Sequence, residues 1–363
     1  LPRDITIWPM AKPNGSDRMR TATSWLRRAG LTAATLIAVA ALGAGPSAAQ
    51  ATVRFSLNWK FEGQFAPFVL ALDSGFYGAR GLDVTIEPAT SSIEAFQRVA
   101  SGAFDMGVGD INALMRFRDE NPSAPVTAVF IVHNKPAFSV VGRKSRGVAS
   151  PQDLQGKKVG APAGDLAFAQ WPIFVKANGL DRGAITVVDI GAPVREPMLA
   201  SGEVDAIIGY SFSTFVNLKD RGVPSDDISL LLMADYGVDL YGDAVMVNSK
   251  FASEKPQVVK AFLAAFVEGL RETVRSPASA IESVVRRNED AKKEVELERL
   301  QLALRQNIIT PEVKANGFGG VDPKRLDAAI GLLALARSFK SKPKGTDVFD
   351  PAFLPDPSER KAH

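Results

Sequence analysis

The 363-residue sequence is 46% hydrophobic and 23% charged, enough apolar material for a sizeable core or for two domains of ordinary size. It contains no cysteine and only two histidines, His133 and His363, which excludes disulfides, thiol catalysis and Cys-ligated metal and leaves little for a histidine-based site. The formal charge of +3 originates in residues 1–51, which hold six of the 43 Lys/Arg and two of the 40 Asp/Glu; from Thr52 onward the net charge is −1, with no basic field for nucleic acid or an anionic membrane.

Residues 1–18 read as an extension ahead of Met19. From there a basic stretch (Arg20, Arg27, Arg28), an apolar run over 31–42 and small residues around Ala49 and Ala51 have the layout of a cleavable export signal, cut near one of those two alanines. The apolar run falls short of the ~18 residues a membrane span requires. Residues 1–51 are therefore expected to be extension and signal, and the mature product to be exported.

From Thr52 short β-rich runs alternate with amphipathic helical stretches, the pattern of an α/β fold with mainly parallel sheets. VRFSLNW reads as a strand. APFVLALDSGFYGARG follows as a helix, with Pro67 near its start and Gly81 past its end. After the strand LDVTIEPA, Ser91 and Glu94 stand at capping-box spacing, and Ile93, Phe96 and Val99 share one helix face.

The phrase VASGAFDMGVGD (99–110) is then nearly repeated as LASGEVDAIIGY (199–210). In each copy a helix stops at a glycine (Gly102, Gly202), alternating apolar residues make a strand, and a second glycine (Gly109, Gly209) sits near the strand's end. In the second copy Val194, Met198 and Leu199 are the expected buried helix face. Two copies are too few for a solenoid and indicate one supersecondary unit in each of two similar lobes.

The β-rich runs 126–144 and 228–248 are broken by turn residues and read as two crossings between lobes. The expected division is lobe I at 52–139, lobe II at 140–236, a return to lobe I at 237–339 with helices that carry Val258, Phe262, Phe266 and Leu270 on one stripe, and a loosely attached tail at 340–363.

The segments LNWKFEGQFAPFVLALDSGFYGARGLDVTIEPA, RVASGAFDMGVGD, DLQGKKVGAPAGD and MLASGEVDAIIGY together resemble the periplasmic solute-binding proteins of ABC transporters, in the nitrate/taurine/thiamine-precursor group. The resemblance covers the chain from Thr52 to about Phe339 and implies a type II periplasmic-binding-protein fold: two α/β lobes, two crossover strands and a ligand cleft between. It further implies a periplasmic protein that hands a small solute to a permease in the inner membrane, expected to be monomeric, with no cofactor, metal or catalytic residue.

In open α/β sheets ligands sit beyond the carboxyl ends of strands, so the loops there supply the candidates. In lobe I these are Asn58, Trp59, Phe61 and Gln64 after the first strand, Ser91 and Ser92 at a helix start, and Asp110, which can receive a ligand N–H or cap the helix INALMRF. In lobe II they are Asp165, Arg195 with Glu196, and Tyr210, Ser211, Phe212 and Ser213 after the second strand copy. Arg195 is there either an anion site or an internally paired base. Asn134, Asp235 and Tyr236 sit in the crossings; His133 reads as a structural hydrogen-bonder, and Gln170 and Trp171 as core or lobe–lobe contacts.

Aromatic surface with several acids and few bases favours a flat nitrogen heterocycle of thiamine-precursor pyrimidine type over nitrate or sulfate, with taurine-like sulfonates and aromatic acids as alternatives. Two other classes stand beside transport: a sensor subunit, and a pyrimidine-forming enzyme of the same fold, which resemblance links to a Lys-bound pyridoxal phosphate, a donor His and a Cys-rich stretch.

Overall fold

The structure, a computed structural model, describes residues 50–362; the expected export signal and the cut at Ala49 lie outside them. Among the described residues no helix is long and apolar enough to cross a membrane.

Ten strands follow in chain order: β1 (Ala51–Ser56), β2 (Leu82–Glu87), β3 (Met106–Asp110), β4 (Val126–Ile131), β5 (Phe138–Arg143), β6 (Lys158–Ala161), β7 (Thr186–Asp189), β8 (Ala206–Tyr210), β9 (Ile228–Leu232) and β10 (Asp243–Asn248). They form two five-stranded sheets of the same plan, β2-β1-β3-β10-β4 in lobe I and β7-β6-β8-β5-β9 in lobe II. The sheets are mixed rather than wholly parallel. In each, one strand runs backwards: β10 against β3 and β4, and β5 against β8 and β9. These are the two strands entered from the other lobe. A chain leaving β4 or β9 departs from the cleft edge of one sheet and arrives at the cleft edge of the next, so the arriving strand must run away from the cleft. The start of β5 and the start of β10 therefore lie beside the ends of β8 and β3.

The repeated phrase builds matching joints. Gly102 and Gly202 end their helices at φ 76° and 90°, a left-handed conformation that only glycine adopts without strain. Asp105 accepts the backbone N–H of Arg54 on β1 at 2.8 Å, and Asp205 accepts that of Lys158 on β6 at the same distance. Each aspartate thus anchors its strand to the neighbouring one by a charge-assisted bond.

Local differences from the sequence reading have simple causes. The first helix is shorter than expected, spanning Ala66–Asp73, and is followed by a separate 3-10 turn at Gly78–Arg80. In the helix Ser92–Ala100 the buried face is Ser92, Ala95, Phe96 and Val99, and Ile93 is exposed, because Ser92 is drawn inward by polar partners. Val194 is also exposed; the helix Arg195–Ser201 instead buries Arg195, Glu196 and Leu199.

The core of lobe I is an aromatic stack in which Phe55, Phe68, Phe262 and Phe266 meet at 4.1–5.0 Å, joining β1 and the helix Ala66–Asp73 to the long helix Pro256–Arg275. The helix Pro323–Ala336 lies between the lobes and contacts the lobe II helix Trp171–Ala177. From it Arg325 donates to the carbonyls of Asn134 and Leu240, both at 2.9 Å, and stacks on the Tyr241 ring at 4.1 Å, so one side chain ties together both crossings. Residues 340–362 are not a loose tail: Phe349 is buried and bridges Ala128 on β4, and Arg360 donates to the Phe318 carbonyl at 2.6 Å. Few apolar anchors in a stretch of Lys, Pro and Asp hold this segment down.

Candidate functional site

The strand reversal sets the lobe I wall of the cleft. Asp110 ends β3, Asp243 begins β10, and the two are direct cross-strand partners. Like charges opposed in this way are destabilising, and both are buried, at 1% and 6% exposure. Asp110 Oδ1 accepts the Ala113 backbone N–H at 2.8 Å and caps the helix Ile111–Glu120, while Oδ2 accepts Asn112 Nδ2 at 3.1 Å. Asn58 Nδ2 bridges Asp243 Oδ2 at 3.2 Å and Ser92 Oγ at 3.1 Å, and Ser92 Oγ also accepts the Asp110 backbone N–H at 3.2 Å. His133, on the first crossing, places Nδ1 3.6 Å from Asp243 Oδ2. Burial, and then the Asp243 charge, push the Asp110 carboxyl up to about 7; burial also raises Asp243 and holds His133 below the usual imidazole range.

The same junction in lobe II is aromatic. Tyr210 ends β8 and its cross-strand partner, at the start of β5, is Phe138, ring to ring at 5.7 Å. Phe212 lies 6.2 Å from Tyr210 and 5.9 Å from His133, against the crossing. Burial, then the charges of Asp110, Asp243 and Asp165, raise the Tyr210 phenol well above its usual value, and His133, beside both Asp243 and Phe212, joins the two junctions. Arg195 is buried and already engaged: Nη2 donates to Glu196 Oε1 at 2.8 Å, and Nη1 to Asp165 Oδ2 at 3.4 Å and the Ile208 carbonyl at 3.3 Å. One cation facing two carboxylates leaves no surplus positive charge.

Several buried polar atoms at these facing strand ends have no partner in the protein: Asn58 Oδ1, Asn112 Oδ1, His133 Nε2, Ser211 Oγ and Thr214 Oγ1. An unpaired buried polar atom costs about 1–3 kcal/mol, and folded proteins keep few of them. Five gathered at one cleft provide unsatisfied acceptors beside the acids and hydroxyls beside Tyr210, the complement of a small polar molecule. Two surface cavities of about 290 and 300 Å3, one beside Glu312 and Arg360 and one along Arg80 and Glu268, lie elsewhere and carry no such group. Among the described residues no three His, Asp or Glu are placed to hold a metal ion.

A family profile described as NMT1/THI5 like matches residues 62–280, which span both copies of the repeat and both walls of the cleft. The chain belongs to the NMT1/THI5-like family. Within reach of it is a formylaminopyrimidine-binding protein of Halalkalibacterium halodurans, 28% identical over 289 residues that cover 78% of this chain and 84% of that one. A 4-amino-5-hydroxymethyl-2-methylpyrimidine phosphate synthase of Candida albicans is 27% identical over 59% of this chain and 64% of that one. Among solved structures, the periplasmic aliphatic sulphonate binding protein SsuA from Escherichia coli has a TM-score of 0.65 at 15% identity, covering 80% of this chain and 89% of that one. That likeness shows the type II periplasmic-binding-protein fold.

In this NMT1/THI5-like chain the sequence candidates Asn58, Ser92 and Asp110 join one hydrogen-bonded cluster, Asp165, Arg195 and Glu196 a second, and Tyr210 and Phe212 an aromatic pair. Gln64 is buried, donates Nε2 to Glu62 Oε2 at 3.3 Å and leaves Oε1 unpartnered. Others go elsewhere. Trp59 is 44% exposed on its loop, and Phe61 packs on the lobe I core. Ser91 only caps its helix, accepting the Glu94 N–H at 3.2 Å. Asn134 Oδ1 is occupied by Thr310 and Arg325, at 2.6 and 3.2 Å. Asp235 pairs with Lys135 at 2.7 Å in a solvent-facing bridge between the crossings, and Tyr236 packs edge-on to Phe174. Ser213 is partly buried, while its neighbours Ser211 and Thr214 present the inward hydroxyls. Asp243, Asn112 and Thr214 escape the sequence reading, whereas Ser211 is among its hydroxyl candidates. The signal for Asp243 is the Gly242-Asp243 start of a strand reached from the other lobe, which becomes informative once that strand is known to run backwards.

Proposed function

We propose that this chain is an extracytoplasmic solute-binding protein that captures a flat nitrogen heterocycle bearing N–H donors, of aminopyrimidine type, and delivers it to an ABC permease from the periplasm. The observation that carries the reading is the buried, cross-strand acid pair Asp110–Asp243, joined through His133 to the Tyr210–Phe212 junction, with Asn58 Oδ1 unpaired beside it. A carboxyl that exchanges its proton near neutrality can donate to a ring nitrogen or accept from an exocyclic amine, the two roles the edge of an aminopyrimidine requires. Tyr210 and Phe212 supply aromatic faces for the ring. Nitrate or a sulfonate would meet an excess of carboxylate, because Arg195 is already neutralised by Glu196 and Asp165. The name of the Halalkalibacterium relative supports the same class of solute.

The enzyme reading draws support from the synthase among the relatives. The residues here do not fit a Schiff-base cofactor, since the lysines flanking the cleft segments are drawn to acids outside the buried cluster, Lys60 to Glu62 at 3.4 Å and Lys135 to Asp235 at 2.7 Å. A thermal-shift screen of pyrimidines, flavins, sulfonates, nitrate and aromatic acids tests the assignment. A ligand at a hundred times its Kd adds about 2.7 kcal/mol of stability. Aminopyrimidines are expected to raise Tm; a shift from nitrate or taurine alone would refute the reading.

A further inference from the structure

Besides the cleft walls and the contact of Pro323–Ala336 with Trp171–Ala177, the lobes meet along a second helix pair. The lobe II helix Ser211–Asp220 lies antiparallel to the lobe I helix Lys293–Ala303. At the hinge end the contact is apolar: Phe212 packs with Leu302 and Ala303 beside Ala137 of the first crossing. Midway, Arg299 of lobe I donates to Asn217 of lobe II at 3.3 Å. At the far end it is ionic. Lys219 Nζ reaches both carboxylate oxygens of Glu298 at 2.6 and 2.7 Å, and Lys292 Nζ reaches both of Asp220 at 2.8 and 2.9 Å. The two pairs point in opposite senses, lysine from lobe II in one and from lobe I in the other, so together they fix register as well as contact. On the lobe II helix they stand about 10–12 Å from the hinge end, at 1.5 Å per residue, where a given attraction exerts the most leverage on lobe rotation. The lobe II helix begins immediately after Tyr210, so any movement of this seam moves a cleft wall.

We infer that this helix pair is an electrostatic latch: Lys219–Glu298 and Asp220–Lys292 hold the lobes closed and thereby set solute affinity without touching solute. The inference rests on the solute-binding reading for its consequence, but the latch is testable without any solute. The sequence has no cysteine, so Ser74→Cys on lobe I and Ser225→Cys on lobe II, both exposed, give a clean spin-label pair for distance measurement by electron paramagnetic resonance. At low salt the otherwise unmodified protein should give one narrow distance. Lys219→Glu should lower the closed-to-open ratio about two- to fivefold, the range of a half-exposed ion pair, and 1 M NaCl (roughly a 3 Å Debye length) should act in the same direction. Adding Glu298→Lys to Lys219→Glu should restore the narrow distance. A distribution unchanged by Lys219→Glu, or one that the charge swap fails to restore, overturns the latch. Failure of the solute-binding reading would show separately, as an absence of response in the thermal-shift screen.

Discussion

Asp110 carries two duties that pull its chemistry in opposite directions. It caps a helix, which favours the carboxylate, yet it is buried against Asp243, which favours the acid. The second effect wins and lifts its proton exchange to about 7. Because the folded value lies above the unfolded one, the group stabilises the fold fully only below about pH 4, and this contribution is lost as pH rises through 7. Tm of the protein without solute should therefore fall between pH 4 and 8. Asp110→Asn keeps a capping oxygen and removes the buried charge, so it should flatten that slope and raise stability at pH 8, by on the order of 1–3 kcal/mol, while weakening solute binding. Urea titrations of both proteins at pH 5 and 8 read this directly; an unchanged slope in the variant would assign the titration to another group. Arg195 follows the same logic in reverse. It is the most conspicuous anion-binding candidate in the sequence, and its neighbours Glu196 and Asp165 remove it from that role.

The elements explain what was legible and what was not. Both copies of the repeat could be read because helix stop, strand alternation and terminal glycine are local patterns. Gly109 and Gly209 show the differing local demands: an added Cβ would stand 2.5 Å from the Phe96 ring at Gly109, and 2.5 Å from Arg195 Nη1 with Thr214 Oγ1 at 2.8 Å at Gly209. Gly109→Ala and Gly209→Ala should each destabilise by about 1–3 kcal/mol, and Gly209→Ala should also disturb Arg195. Chemical denaturation checks both, and a neutral effect at either position would mean the neighbouring side chain moves freely. What was hidden depended on topology. Asp243 becomes a partner of Asp110 only because β10 is entered from the cleft, and Trp59 and Tyr236, promising by residue type, were carried away from the cleft by their loops. Of the two serine candidates at one helix start, Ser91 caps the helix and Ser92 turns inward to Asn58 and Asp110.

As a whole, the molecule is one plan used twice and then varied at one junction. Where a reversed strand meets the end of the repeat strand, lobe I places two acids and lobe II places two rings. The crossings keep these junctions face to face, Arg325 fixes the crossings to each other, and the helix seam governs how closely the walls approach. This division separates recognition, which belongs to the junctions, from closure, which belongs to the seam and hinge. Isothermal titration with a 2-methyl-4-aminopyrimidine and with taurine, on the unmodified protein and on Asp243→Asn, decides whether the acid pair recognises a pyrimidine. Removing one charged partner of a buried hydrogen bond costs about 1.5–3 kcal/mol, or roughly ten- to a hundredfold in Kd. The pyrimidine should bind, with that loss in Asp243→Asn, and taurine should give no heat of binding; taurine binding with the pyrimidine silent would rule out recognition by the acid pair.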